Sequence, residues 1–159
     1  LGDSLTVGAS RHGLNVTDLA ADVGVDALDG RRIADGVRIL QRSDMRRVDH
    51  VVFALGTNDF RESDEQLREL IDLTMRAVGR KRVTWVNVDT GATFLGGAAR
   101  LNRLLDQAGR EYDNLAIADW DRYMASHANA PSLRHADGVH YNDAGNRARA
   151  EWLAGLASS

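Results

Sequence analysis

Five residues of this 159-residue chain carry groups that acyl transfer to a hydroxyl requires. Ser4, in Gly2-Asp3-Ser4-Leu5, offers an oxygen nucleophile, and His140, in Asp137-Gly138-Val139-His140, offers an imidazole to accept its proton. Asp137 lies three residues before that imidazole and can orient it. The tetrahedral intermediate also needs donors for its oxyanion. Ser4 sits at the start of a helix expected to begin near Leu5, where backbone N–H groups are free and the dipole favours negative charge. Gly30, in Asp29-Gly30-Arg31, has no side chain to keep a second N–H from a substrate, and the Asn58 carboxamide in Gly56-Thr57-Asn58-Asp59 supplies a third donor.

These segments need a scaffold that brings them together. Apolar, β-branched runs at Val23–Leu28, Val48–Leu55, Val83–Val88 and Leu115–Ala118 read as short strands buried on both faces. Helical patterns lie between them. Ser63 and Gln66 have capping-box spacing, and Leu67, Leu70, Ile71, Thr74 and Val78 recur at helical intervals up to a terminating Gly79. Leu101, Leu104, Leu105 and Ala108 mark a helix expected to end at Gly109, and Asp143 is expected to cap a last one carrying Ala148, Trp152 and Leu156. A helix around Ile33, Val37 and Leu40 is interrupted by Gly36. Alternating strands and helices imply βαβ units and a mainly parallel sheet covered by helices, and in such sheets the ligand crevice lies beyond the carboxyl ends of the strands. The candidate residues fall at those ends. The Gly2-Asp3-Ser4 turn reads as the exit from a strand of which only Leu1 is present, so a first strand cut short before Leu1 is expected, with further apolar residues upstream in the physical polypeptide.

Composition narrows the function. Hydrophobic residues make up 43% and charged residues 27%, the proportions of an ordinary globular domain, and one domain spanning residues 1–159 is expected. The 20 basic and 23 acidic residues give a net charge of −3, with the arginines scattered along the chain, so no nucleic-acid partner is expected. No apolar run reaches the roughly 18 residues needed to span a bilayer, so membrane insertion by this domain is not expected. Cysteine is absent, which excludes disulfides, thiolate catalysis and cysteine-liganded zinc. There is no Gly-x-Ser-x-Gly elbow, phosphate loop, dinucleotide fingerprint or His-Glu-x-x-His pair. No cofactor and no metal are expected.

The four segments, in their order along the chain, resemble the sequence blocks of the SGNH, or GDSL, hydrolase family. Gly2-Asp3-Ser4-Leu5-Thr6 resembles the nucleophile block, Asp26-Ala27-Leu28-Asp29-Gly30-Arg31 the glycine block, Gly56-Thr57-Asn58-Asp59 the asparagine block, and Asp137-Gly138-Val139-His140 the block of acid and base. The resemblance implies Ser4 as nucleophile, His140 as general base and Asp137 as its partner, with the Ser4 and Gly30 N–H groups and the Asn58 side chain as oxyanion hole. It implies a flavodoxin-like, three-layer α/β/α sandwich around a parallel five-stranded sheet. The implied activity is that of a serine esterase or acyl hydrolase acting on a small-molecule or carbohydrate ester, with a short acyl group such as acetyl. Asp119-Trp120 and the Asp-Ala-x-x-Gly-Arg form of the second block further resemble SGNH domains of bacterial membrane acyltransferases. That branch implies acetyl transfer on cell-envelope carbohydrate, an extracytoplasmic location and an upstream membrane acyltransferase domain as partner. A non-catalytic carbohydrate-binding domain on the same fold is a third reading.

Other residues have structural readings. Asp3 is expected to hold its turn, since an acid beside the nucleophile opposes an oxyanion, and Asp59 to cap or brace its loop. His12, His50 and His127 are expected to be solvated or locally bonded, His135 to lie near the site, and Arg31 to pair with an acid such as Asp29. Trp85 and Trp152 are expected in the core, and Trp120, just beyond a strand, is a candidate substrate contact. The Asn15-Val16-Thr17 sequon is read as a chance match.

Overall fold

The computed structural model describes residues 1–12, 24–92, 96–127 and 130–157. Helix α1 (Ser4–Arg11) is followed by α2 (Ile33–Arg42), strand β1 (His50–Phe53), α3 (Asp64–Val78), β2 (Arg82–Val86), α4 (Ala98–Glu111), β3 (Leu115–Ala118), α5 (Trp120–Ser126) and α6 (Asp143–Ala157). Short 3₁₀ turns occupy Met45–Arg47 and Ala130–Leu133, the second containing Pro131. The sequon at Asn15 lies outside the described residues.

Strands β1, β2 and β3 form a parallel sheet in that order, with Val51 opposite Val83 and Val83 opposite Leu115. The expected five strands are thus three among the described residues. Single parallel bridges extend the arrangement, because Gly2 pairs with Ala54, just beyond β1, and on its other side with Ala27. Among its described residues the run Val23–Leu28 forms no full strand; Val23 lies outside them, and of the described residues Gly2 alone bridges to it, accepting from Leu28 N–H at 3.2 Å and donating to the Asp26 carbonyl at 3.0 Å. Alternation along the strands divides the core. Phe53, Val83, Trp85 and Leu115 pack with α2, α3 and α4 on one face, while Ala54, Val86 and Ala118 pack with Leu5 and Ala9 of α1 and Ala150 and Leu153 of α6 on the other.

Local chemistry sets the helix ends. Ser63 Oγ accepts from Gln66 N–H, Gln66 reaches back to Ser63 N–H, and Gly79 ends α3 at φ +62°. Helix α4 continues through Gly109 to Glu111, and a Cβ at Gly109 would lie 3.2 Å from Ile117, where the helix meets the sheet. Gly36 serves α2 in the same way, since a Cβ would lie 2.5 Å from Leu55 and 2.7 Å from the Phe53 ring. The cap of α6 is Asn142, not Asp143; its Oδ1 accepts from Ala144 and Gly145 N–H at 3.0 and 3.1 Å.

Candidate active site

Ser4 is placed by the turn before it. Asp3, in extended backbone, caps α1 by accepting from Leu5 N–H at 3.0 Å, while its carbonyl accepts from Thr6 and Val7. Gly2 is required by close approach, because any Cβ would overlap the Thr6 side chain at 2.1 Å. Ser4 is consequently the first residue of α1, and its N–H makes no hydrogen bond among the described residues. Asp3 is buried, and burial pushes its carboxyl above the usual range while the positive field of Arg149 opposes that rise.

The acid and base sit on a tight hairpin. His135 N–H donates to the His140 carbonyl at 2.8 Å, and Gly138, at φ +70°, supplies the left-handed turn between them. Asp137 Oδ1 accepts from the Val139 and His140 N–H groups at 2.9 Å each, which leaves Oδ2 2.7 Å from His140 Nδ1. These backbone N–H groups, first Val139, and the His140 ring hold the Asp137 carboxyl down at about 2. A carboxylate at Nδ1 assigns the ring proton to that nitrogen, so Nε2 presents a lone pair toward Ser4 Oγ, 3.1 Å away. Asp137 and His140 are both about half exposed, so the arrangement lies at an open rim.

Two further turns converge on the same end of the sheet. Gly30 has φ +72°, a conformation that favours glycine, and a Cβ there would meet no atom of the described residues outside its own chain neighbours within 4 Å. Its N–H has no acceptor among the described residues. Asn58 donates one Nδ2 hydrogen to the Arg31 carbonyl at 3.0 Å, which fixes the carboxamide and leaves its second hydrogen available. Arg31 pairs with Asp26 rather than Asp29: its guanidinium meets Asp26 Oδ1 at 2.7 Å and donates to the Asp26 carbonyl at 2.8 Å. A contact at 3.4 Å to the Gly2 carbonyl ties this turn to the one before Ser4. Asp59 is buried and accepts from Ile33 N–H at the start of α2 at 3.1 Å; burial raises its carboxyl to about 6.

Other candidates fall elsewhere. Trp120 is not placed to contact substrate; it is 1% exposed, stacked on Tyr123, and donates its indole N–H to Tyr141 Oη at 2.7 Å. Trp85 is fully buried with its N–H on the Leu55 carbonyl, and Trp152 is half-buried against Trp120. His12 faces Asp143 at 3.5 Å, His50 meets Thr84 Oγ1 and His127 meets the Tyr123 carbonyl, each at 2.8 Å. His135 is exposed, and its backbone carbonyl and N–H close the hairpin. Among the described residues no three His, Asp or Glu side chains are grouped to hold a metal ion.

One group went unrecognised in the sequence. Asp89, beyond β2, is buried and receives Arg134 Nη2 at 2.6 Å and Tyr141 Oη at 3.2 Å, residues at the two ends of the hairpin. They are 45 and 52 positions away, so only a buried acid just past a strand end could have drawn attention to it.

An α/β fold with a parallel sheet, with a serine, an imidazole and a carboxylate in hydrogen-bond contact beside its strand ends, defines the class of protein. The chain belongs to the GDSL-like lipase/acylhydrolase family, also called SGNH, whose model matches residues 1–148. It is 28% identical over 151 residues to the O-acetyltransferase OatA of Staphylococcus aureus strain NCTC 8325, covering 93% of this chain but only 23% of that relative. Among solved structures, the C-terminal catalytic domain of peptidoglycan O-acetyltransferase A from Streptococcus pneumoniae matches with a TM-score of 0.75 at 18% identity, over 97% of this chain and 88% of that one. A lipase/acylhydrolase from Enterococcus faecalis matches with a TM-score of 0.72 at 18% identity, over 99% and 92% of the two chains. Among the described residues no helix is long and apolar enough to cross a membrane.

Proposed function

We propose that this protein is a serine esterase or acyl hydrolase that cleaves a short acyl ester, such as an acetyl ester, through a covalent acyl-enzyme. The single observation that carries the reading is the continuous contact from Ser4 Oγ to His140 Nε2 at 3.1 Å and from His140 Nδ1 to Asp137 at 2.7 Å. In this reading the Ser4 oxygen attacks the ester carbonyl as His140 takes its proton. Asp137 stays ionised and holds the ring in the required tautomer. The carbonyl oxygen, now negative, is received by the N–H groups of Ser4 and Gly30 and the free Nδ2 hydrogen of Asn58. His140 then returns the proton to the leaving alcohol, and water repeats the sequence to release the acid. No cofactor enters any step.

The exposure of His140 supports a compact ester approached from solvent. A groove of about 570 Å³ runs past Val25, Leu40 and Val52, and none of the five site residues lines it. The likeness to OatA supports a second reading at the same site, in which the acyl-enzyme passes acetyl to or from a cell-envelope carbohydrate. That reading carries an extracytoplasmic location and an association with a membrane acyltransferase domain. The bridges of Gly2 to Ala27 and Ala54 support a five-stranded, flavodoxin-like α/β/α sandwich with the Ala27 segment outermost, then that of Gly2, then β1 to β3, all in one domain.

Hydrolysis of p-nitrophenyl acetate by the protein and by a folded Ser4→Ala variant tests the proposal. Turnover that disappears with Ser4, together with labelling of Ser4 by a serine-reactive phosphonate, is expected. Turnover that survives in Ser4→Ala overturns it. Labelling without hydrolysis favours the transferase.

A further inference from the structure

The hairpin that carries Asp137 and His140 meets a buried carboxylate at both of its ends. Arg134 and Tyr141 face each other across it as an antiparallel bridge, so they mark its two ends. Both reach one oxygen. Asp89 Oδ2 receives Arg134 Nε at 3.1 Å, Arg134 Nη2 at 2.6 Å and Tyr141 Oη at 3.2 Å, while Oδ1 receives Gly91 N–H at 2.9 Å. Asp89 and Tyr141 are buried, and the Arg134 side chain is 10% exposed, so these bonds are shielded from solvent. The Tyr141 hydroxyl is itself fixed by the Trp120 indole at 2.7 Å, and burial keeps the phenol protonated and therefore donating. Rigid support of this kind matters for catalysis because a displacement of about 1 Å at a reacting group costs on the order of 10²-fold in rate.

We infer that Asp89 is a positioning residue for the reaction: its carboxylate, at the exit of β2, pins both ends of the 134–141 hairpin and so sets His140 Nε2 at hydrogen-bond distance from Ser4. The inference rests on the acyl-transfer reading of Ser4, His140 and Asp137. Three donors converge on Oδ2 and a fourth on Oδ1, so an amide cannot replace the carboxylate. In either orientation of a carboxamide at this position, its NH₂ would face another donor.

Asp89→Asn is the direct test, measured with p-nitrophenyl acetate beside the wild type and Ser4→Ala. The expected result is a fall in kcat of about 10- to 100-fold with KM little changed, since the hairpin and not the substrate loses its fixing. The low-field proton resonance of the His140 Nδ1 hydrogen bond to Asp137 is expected to broaden or vanish at temperatures where the variant remains folded, a change that loss of stability alone does not produce. Arg134→Lys keeps the positive charge but loses the two-pronged contact, and is expected to show the same kcat-selective defect at smaller size; it carries the test if Asp89→Asn does not fold. Wild-type kcat and an unchanged resonance in either folded variant overturn the inference. If Ser4→Ala abolishes turnover while those variants are unaffected, only the Asp89 anchor fails; if Ser4→Ala remains active, the underlying reading fails instead.

Discussion

The carboxamide of Asn58 is held at 3.0 Å by the backbone carbonyl of Arg31, the residue after Gly30, so two of the proposed oxyanion donors are fixed to one another. Such fixing is what makes a donor effective, because it need not reorganise as charge develops. Asn58→Ala is expected to lower kcat by about 10²–10³, the usual cost of losing one preformed donor. The fold should persist, since Asn58 is only half-buried and its side-chain bond to Arg31 ties two loops rather than core elements. Steady-state kinetics with a thermal melt check both statements, and an unchanged kcat in the folded variant removes Asn58 from the site.

Asp137 is expected to remain charged throughout the working range. Its carboxyl is held at about 2, below the ordinary value near 3.9, so any stability it contributes is fully present above about pH 4 and is lost as pH falls towards 2. The acid limb of kcat/KM should therefore follow a single proton, with none contributed by Asp137. Asp137→Asn should cut kcat on the order of 10³–10⁴-fold, because an amide cannot hold the ring in the required tautomer with equal strength. A pH–rate profile with two acidic protons, or a mildly affected Asp137→Asn variant, contradicts this assignment.

How far the sequence reveals this arrangement depends on the range of each interaction. The Ser63–Gln66 box, the Gly79 terminator and the Asp137–His140 pair each reside within a few residues, and all are found where local pattern places them. The errors have longer-range causes. Gly109 reads as a helix end, yet α4 runs on to Glu111, and Gly109 is instead the point where the helix lies close against Ile117. Trp120 follows a strand and so looks exposed to substrate, but its indole turns inward to Tyr141, 21 positions away. The cap of α6 is a local exception: the carboxamide of Asn142, one residue before Asp143, takes that role. The Asp89 anchor joins residues whose relation exists only after β2 and the hairpin have come together.

Asp59 should make the fold less stable as pH rises through the weakly acidic range. Burial lifts its carboxyl to about 6, so between about pH 4 and 6 the folded chain binds this proton more tightly than the unfolded one, and stability falls across that window. Two decades of proton affinity at about 1.36 kcal/mol each give an upper limit near 3 kcal/mol. Asp59→Asn retains an acceptor for Ile33 N–H and cannot titrate. Relative to wild type it should gain stability from pH 4 to 7, approaching that limit, and urea unfolding at the two pH values measures the difference. A constant difference would show that Asp59 titrates alike in both states.

Two glycine substitutions of identical chemistry should act in opposite directions. Both Gly36 and Gly155 lie inside helices, where alanine is intrinsically favoured by about 1 kcal/mol. At Gly155 in α6 a Cβ would meet nothing within 4 Å among the described residues, so Gly155→Ala should stabilise the protein by about 0.5–1 kcal/mol. At Gly36 the new methyl would lie 2.5–2.8 Å from the Leu55 and Phe53 side chains, which are themselves fully packed between α2 and the sheet. Overpacking of that kind costs about 1–3 kcal/mol, more than the helix propensity returns, so Gly36→Ala should be net destabilising. Phe53 ends β1, and Leu55 immediately precedes the Gly56–Asp59 turn, so a shift there reaches Asn58. Gly36→Ala should therefore reduce kcat while Gly155→Ala leaves it unchanged, and paired urea titrations and p-nitrophenyl acetate kinetics read both effects. Equal stability changes in the two variants would mean that α2 can withdraw from the sheet without cost, contrary to the close packing of Phe53 and Leu55.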